Sequence, residues 1–308
     1  MRPPRLPPAA VRPSIALAGR WALSPRVDWP TRRRRVDAAQ AWPGPPRGTA
    51  VTARTLGGVA CEQLTPAGAA GDALLVFLHG GGYCVGSPRS HRALVGRMAQ
   101  GFGAPGLAVD YRLAPEHPHP AALQDALAVW DALTEGAQAI APARIVVAGD
   151  SAGGGLALAL ALSLRDAGRP QPAALGLISP WLDLVADTAN VRPPAPGDVL
   201  LSRGLLRAFA AAYLSGGASP RDPLVSPAHA DPVSLAPLVI HTAGEELIRS
   251  DGLDFARRAR DAGVAVTAEE LPGLWHDVHL AAETLTEPAG GAPLRMAAAL
   301  RAHVPARP

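Results

Sequence analysis

From Val51 onward, short runs of consecutive apolar residues alternate with longer stretches in which apolar residues recur every three or four positions. The runs predict strands at Ala73–His79, Gly106–Tyr111, Arg144–Gly149, Ala174–Ser179 and Pro237–Thr242, and a last one near Val264–Leu271. The helical recurrences predict helices at Ser90–Gly101, Pro120–Glu135, Ala152–Ala167, Ser202–Leu214, Asp251–Ala262 and Pro293–His303. Ahead of these, Val51–Leu56 and Val59–Leu64 flank Gly57-Gly58 and predict a β-hairpin. Strands apolar at every position, not at every second one, are covered on both faces. Their alternation with helices predicts an α/β fold built of βαβ units around a mostly parallel sheet.

Two segments break this rhythm. Residues 1–50 are rich in Pro and Arg and hold two apolar clusters, Ile15–Leu23 and Val27–Trp29. The run Arg32–Arg35 reads as the solvated face of a helix or turn. Residues 183–200 carry Pro193, Pro194, Pro196 and Gly197 and predict an insertion after a strand. The N-terminal apolar residues (Ile15, Leu17, Trp21, Leu23, Val27, Trp29) have no strand to pair with. The helix that follows the insertion offers an apolar face of Leu205, Leu206, Phe209, Ala212 and Tyr213. Packing one on the other predicts a small helical cap made of residues 1–47 and an excursion at about 183–214. It would sit on a main domain of residues 48–308, above the C-terminal ends of the strands, where such sheets bind ligands.

Composition narrows the function classes. Among 308 residues, 48% are hydrophobic and 18% charged, enough apolar surface for a large core. The 29 basic side chains, all Arg, nearly balance 26 acidic ones, so net charge gives no field drawing the chain to nucleic acid. Two cysteines, Cys61 and Cys84, are too few for a disulfide framework. Ile15–Leu23 is interrupted by Arg20, and Leu156–Leu164 is too short to span a bilayer. These features predict a cytoplasmic, soluble protein with no membrane span; a monomer or homodimer is expected.

Gly149-Asp150-Ser151-Ala152-Gly153 joins a predicted strand to an Ala/Leu-rich helix. In that setting G-x-S-x-G is a nucleophile elbow: a tight turn lifts the serine hydroxyl clear of the sheet, with helix N-terminal amides beside it. His79-Gly80-Gly81-Gly82-Tyr83 ends another predicted strand. Consecutive glycines can turn their amides towards one oxygen, as the tetrahedral intermediate of acyl transfer requires. Gly81, Gly82 and Ala152 are the predicted oxyanion donors.

With these two motifs the chain resembles the hormone-sensitive-lipase-like esterases, a bacterial family of α/β-hydrolases marked by H-G-G-G upstream of G-D-S-A-G. The likeness extends to Asp110–Pro118, Ser179–Asp183, Asp222–Pro227 and Pro272–His276. It implies an α/β-hydrolase fold with an eight-stranded, mostly parallel sheet, carboxylesterase activity, no cofactor, no metal, and a cap over the site.

A serine nucleophile needs a base, and the base an orienting carboxylate, in the order Ser, acid, His along this fold. Of the histidines after Ser151, His276 matches the family's catalytic position; His279 falls in the following helix. For the acid, an ungapped match from Pro237 to Gly252 puts Glu246 in place, with Glu245 and Asp251 as alternatives. Tyr83 and Trp181 are expected walls of the substrate pocket. Asp110, Arg112 and Glu116 are expected to form an ion-pair network, Asp183 and Asp222 to fix loops, and Cys84 to be a small buried residue. His117-Pro118-His119 lacks a third metal ligand. The expected activity is hydrolysis of short- to medium-chain acyl esters through a Ser-His-Glu triad. A non-hydrolytic receptor on the same fold would have lost the catalytic histidine. An amidase would share the same residues.

Overall fold

A computed structural model describes residues 5–185 and 198–306. Eight strands form one sheet in the order β1-β2-β4-β3-β5-β6-β7-β8. They are β1 (Thr49–Leu56), β2 (Val59–Pro66), β3 (Leu74–Leu78), β4 (Gly106–Val109), β5 (Ile145–Asp150), β6 (Ala174–Ile178), β7 (Leu238–Ala243) and β8 (Val266–Leu271). The β1–β2 hairpin is antiparallel and β2 meets β4 antiparallel; all other neighbours run parallel. This is the eight-stranded, mostly parallel sheet of an α/β-hydrolase fold.

The helices are α1 (Pro8–Ala22), α2 (Trp29–Gln40), α3 (Pro88–Phe102), α4 (Ala121–Thr134), α5 (Ala152–Asp166), α6 (Arg203–Tyr213), α7 (Arg249–Asp261) and α8 (Ala292–Arg301). Uniformly apolar strands divide their side chains between two cores. In β3, Leu74, Val76 and Leu78 join α4, α5 and α7 on one face; Leu75 and Phe77 join α3 and α8 on the other. That two-sided burial is why these strands carry no polar alternation.

The two N-terminal helices pack against α6 and the main domain. Asp28 caps α2 by accepting from the Thr31 amide at 2.9 Å. Trp29 packs on Phe209 of α6 with ring centroids 5.8 Å apart. Leu206, Phe209, Ala210 and Tyr213 of α6 are buried, while Val11 of α1 joins Leu274, Trp275 and Val278 of the main domain. The expected burial of every N-terminal apolar residue is corrected for two: Leu17 is 71% and Trp21 47% exposed. Arginines alter the picture too. The Arg32–Arg35 run is a solvated helix face only in part: Arg34 is exposed, but Arg32 and Arg33 turn inward. Arg32 is buried and stacks over Trp29 at 4.4 Å. Arg33 donates to the carbonyls of Cys84 and Ala114, each at 2.8 Å, and pairs with Glu116 at 2.5 Å. Most of the Pro-rich insertion, residues 186–197, lies outside the described residues.

Candidate active site

The turn from β5 into α5 puts Ser151 at φ 50°, ψ −120°, a strained conformation for a residue with a side chain. Close packing behind it requires glycine. A Cβ on Gly153 would stand 2.0 Å from the Leu78 carbonyl oxygen, so only glycine lets α5 start this near β3. Ser151 is tied at both ends, its amide donating to Ile178 O (2.8 Å) and its carbonyl accepting from the Trp181 amide (2.9 Å).

His276 lies on the loop after β8. Its Nε2 is 2.9 Å from Ser151 Oγ and its Nδ1 2.9 Å from Glu246 Oε2. A carboxylate at Nδ1 keeps the proton there, so Nε2 is free to accept the serine hydroxyl proton. Glu246 is buried, and its Oε1 accepts the Ala243 amide at 2.8 Å. Burial works against charging His276, but the adjoining Asp277 and Glu246 outweigh it and hold its pKa well above the usual imidazole value.

The other acid candidates have different partners. Glu245 pairs with Arg12 of α1. Asp251 accepts the Leu182 and Asp183 amides at 2.9 and 3.0 Å, and burial pushes its pKa up to about 7. Of the remaining histidines, His279 packs against His241 at 3.0 Å, with both held below the usual range by burial. The Glu246 loop is held on both sides by residues distant in the chain. Beyond the Arg12–Glu245 pair, Asp198 Oδ2 accepts the Leu247 amide at 2.8 Å.

The glycine loop after β3 faces Ser151. Gly81 and Gly82 adopt φ 116° and 60°, and a Cβ on Gly82 would meet the Phe209 ring at 2.3 Å. Among the described residues, the Gly81, Gly82 and Ala152 amides serve no main-chain carbonyl, whereas the Gly80 amide donates to Asp150 Oδ1 at 2.8 Å. Asp150 thereby joins the elbow to the glycine loop. Its Oδ2 is 3.2 Å from His91 Nε2. Burial opposes charge on both, yet their mutual attraction raises His91 and lowers Asp150. His79 is instead held neutral by burial, its pKa pushed down to about 3, and stacks on Tyr111 at 4.2 Å. Tyr111 OH donates to His79 O at 2.6 Å, which braces the loop from behind.

A cavity of about 420 Å³ opens over Ser151, His276 and the glycine loop. Helices α1 and α6 supply Val11, Ile15, Ala22, Leu206 and Phe209 to its wall, beside Trp181 and Trp275. Tyr83, expected beside Trp181, is corrected: it is buried behind the wall, stacked on Tyr213 at 3.8 Å and 6.3 Å from Trp181. The expected Asp110–Arg112–Glu116 network is likewise corrected, since Arg112 pairs with Asp125 and Glu116 with Arg33. Cys84 is buried and in no disulfide, its thiol donates to the Phe209 carbonyl at 3.9 Å, and burial pushes its pKa up to about 12. Asp183 and Asp222 accept the Val185 and Leu224 amides, as loop-fixing carboxylates do. The sequence did not single out Asp277, which adjoins His276 Nε2 at 3.0 Å, nor the Asp150–His91 pair.

Residues 75–280 match a protein family described by its alpha/beta hydrolase fold. An acetyl-hydrolase of Streptomyces hygroscopicus is 44% identical over 77% of this chain and 77% of its own. An esterase of Acinetobacter venetianus is 36% identical over 73% of each. Among solved structures, an esterase of the bacterial hormone-sensitive lipase family superposes with a TM-score of 0.89 at 32% identity, covering 96% of this chain and 99% of that one. No helix among the described residues is long and apolar enough to cross a membrane.

Proposed function

The chain belongs to the α/β-hydrolase family, in its hormone-sensitive-lipase branch, and is a carboxylic ester hydrolase; from that premise we propose that it cleaves short- to medium-chain acyl esters through Ser151, His276 and Glu246. The observation that carries this reading is the relay of two 2.9 Å contacts, Ser151 to His276 and His276 to Glu246, at the floor of the cavity.

Ser151 Oγ attacks the ester carbonyl as its proton passes to His276 Nε2. The amides of Gly81, Gly82 and Ala152 receive the oxyanion, stabilised further by the N-terminus of α5. His276 then hands the proton to the departing alcohol, leaving an acyl group on Ser151. Water, deprotonated by His276, releases the acid. Glu246 holds the imidazole tautomer and offsets its positive charge. The cap, comprising residues 1–47 and the excursion at about 183–214, limits acyl length. Each buried methylene gains only about 0.8 kcal/mol, and only while it fits.

Ser151→Ala should abolish turnover of a nitrophenyl butyrate apart from residual catalysis by binding and the oxyanion amides, roughly 10³–10⁴-fold over water. Glu246→Gln should lower kcat by orders of magnitude, because the amide permits the wrong tautomer, while Glu245→Gln should be mild. Near-normal turnover in Ser151→Ala, or the reverse order of the two glutamate variants, would refute the assignment.

A further inference from the structure

The cavity contains a carboxyl group that this reaction does not use. Asp277 follows His276 in a left-handed conformation, φ 52° and ψ 36°, and is buried. Its amide donates to Ser179 Oγ at 3.3 Å, and its side chain belongs to the cavity wall. Oδ2 lies 3.0 Å from His276 Nε2. Oδ1 is buried with no hydrogen-bond partner among the described residues. A buried, unpaired carboxylate oxygen is costly to keep and is expected to be satisfied by something that enters.

Geometry restricts what enters. His276 Nε2 is the atom that gives its proton to the departing alcohol, so the ester's alkoxy oxygen must come within hydrogen-bond distance of it. Asp277 adjoins that same nitrogen, so the first carbons of the alcohol pass beside its carboxyl. Nearby walls are apolar: Trp275, Leu280, Ala281 and Val11. The other carboxylates of the site are engaged, Glu246 by His276 Nδ1 and the Ala243 amide, Asp150 by His91 and the Gly80 amide. Of the described carboxylates that line the cavity, Asp277 is the one left with an unpaired oxygen, and it stands beside His276 Nε2; Gln40 Oε1, also unpaired in the lining, belongs to α2.

We propose that Asp277 is the specificity-determining residue of the alcohol side, accepting a hydrogen bond from a hydroxyl or ammonium group on the carbon next to the alkoxy carbon, so that esters of 1,2-diols and amino alcohols are preferred over esters of simple alkanols. This rests on the Ser151–His276 reading above. It also bears on turnover. Ser151 Oγ and Asp277 Oδ2 share one nitrogen, and a substrate donor that engages the carboxylate leaves Nε2 to the serine.

The test compares 2-hydroxyethyl butyrate with propyl butyrate, the same acyl group with a hydroxyl exchanged for a methyl, at pH 8. The wild-type protein should prefer the hydroxyl ester by about tenfold or more in kcat/KM, as a site built around a polar contact discriminates against an analogue lacking it. Asp277→Asn, whose side chain tolerates the left-handed backbone, should reduce the preference. Asp277→Gly should abolish it. A ratio taken on one protein cancels any general loss from disturbing His276, so a merely structural role would leave it unmoved. Equal kcat/KM in the wild type, or a preference that survives Asp277→Gly, overturns the assignment and leaves the Ser151 reaction standing. Hydrolysis of neither ester overturns both.

Discussion

His276 is flanked by two carboxyls, and its reactivity depends on both. Only the neutral imidazole can accept the Ser151 proton, so a raised pKa moves the rising limb of activity to higher pH. The charged groups facing the ring are Glu246 at Nδ1 and Asp277 at Nε2. Asp277 has its own pKa pushed up to about 7, by burial first and by Asp150 and Glu246 next, against the lowering effect of His276. Removing that charge in Asp277→Asn should lower the His276 pKa and shift the acid limb of kcat/KM downward. The pH profile of the two proteins checks this; coincident limbs would show that Glu246 alone sets the value. At Gly153 the expected effect is on stability. A methyl 2.0 Å from the Leu78 carbonyl must push α5 off β3, so Gly153→Ala should cost roughly 1–3 kcal/mol or more, read from a denaturant midpoint. Ser151, Gly81 and Gly82 stand out in the sequence because they sit in short local strings, whereas His276 and Glu246 are picked out by a match to the family pattern, and the structure brings Ser151, His276 and Glu246 within hydrogen-bond distance. Asp277 was legible in neither way. Although it follows His276 directly, its carboxyl meets Nε2 through a left-handed backbone that no local pattern dictates. The pocket position of Tyr83 failed for a similar reason, since at φ 62° the residue is buried against Tyr213 and not in the cavity wall.

Among the elements, the main-domain strands and helices were legible to within a few residues, because period and apolarity reinforce each other there. The cap helices were less so. Helix α1 contains Pro13, and the apolar positions of α2 are diluted by four consecutive arginines. Their fold comes from what they touch: Trp29 on Phe209, Val11 against Trp275, and Arg33 on the carbonyls of the loop beneath. Deleting residues 1–47 should therefore raise KM and flatten the preference among acetate, butyrate, hexanoate and octanoate esters. It should also expose apolar surface that binds a hydrophobic dye. A truncated protein with unchanged kinetics across that series would show that the cap does not define the acyl site.

At the scale of the whole molecule, a net charge of +3 conceals a division. Residues 1–47 hold ten of the 29 arginines and two aspartates, a charge of +8, which leaves −5 on the other 261 residues. Part of the surplus faces the chain's own main domain: Arg5 approaches Glu287, Arg12 pairs with Glu245 and Arg33 with Glu116. Arithmetic on the full sequence could not separate an internal adhesive from an external binding surface. Screening shortens from about 8 Å at physiological salt to about 3 Å at 1 M. Trypsin cleavage after the N-terminal arginines should thus accelerate with added NaCl, once corrected for the protease's own salt response. Salt-independent cleavage would assign the hold to apolar contacts alone. One fastening has a wider effect. The loop carrying Glu246 is gripped from both sides, at Glu245 by Arg12 and at Leu247 by Asp198. The loop that positions Glu246 therefore takes its place from residues distant in the chain, at positions 12 and 198, and not from its own strand alone.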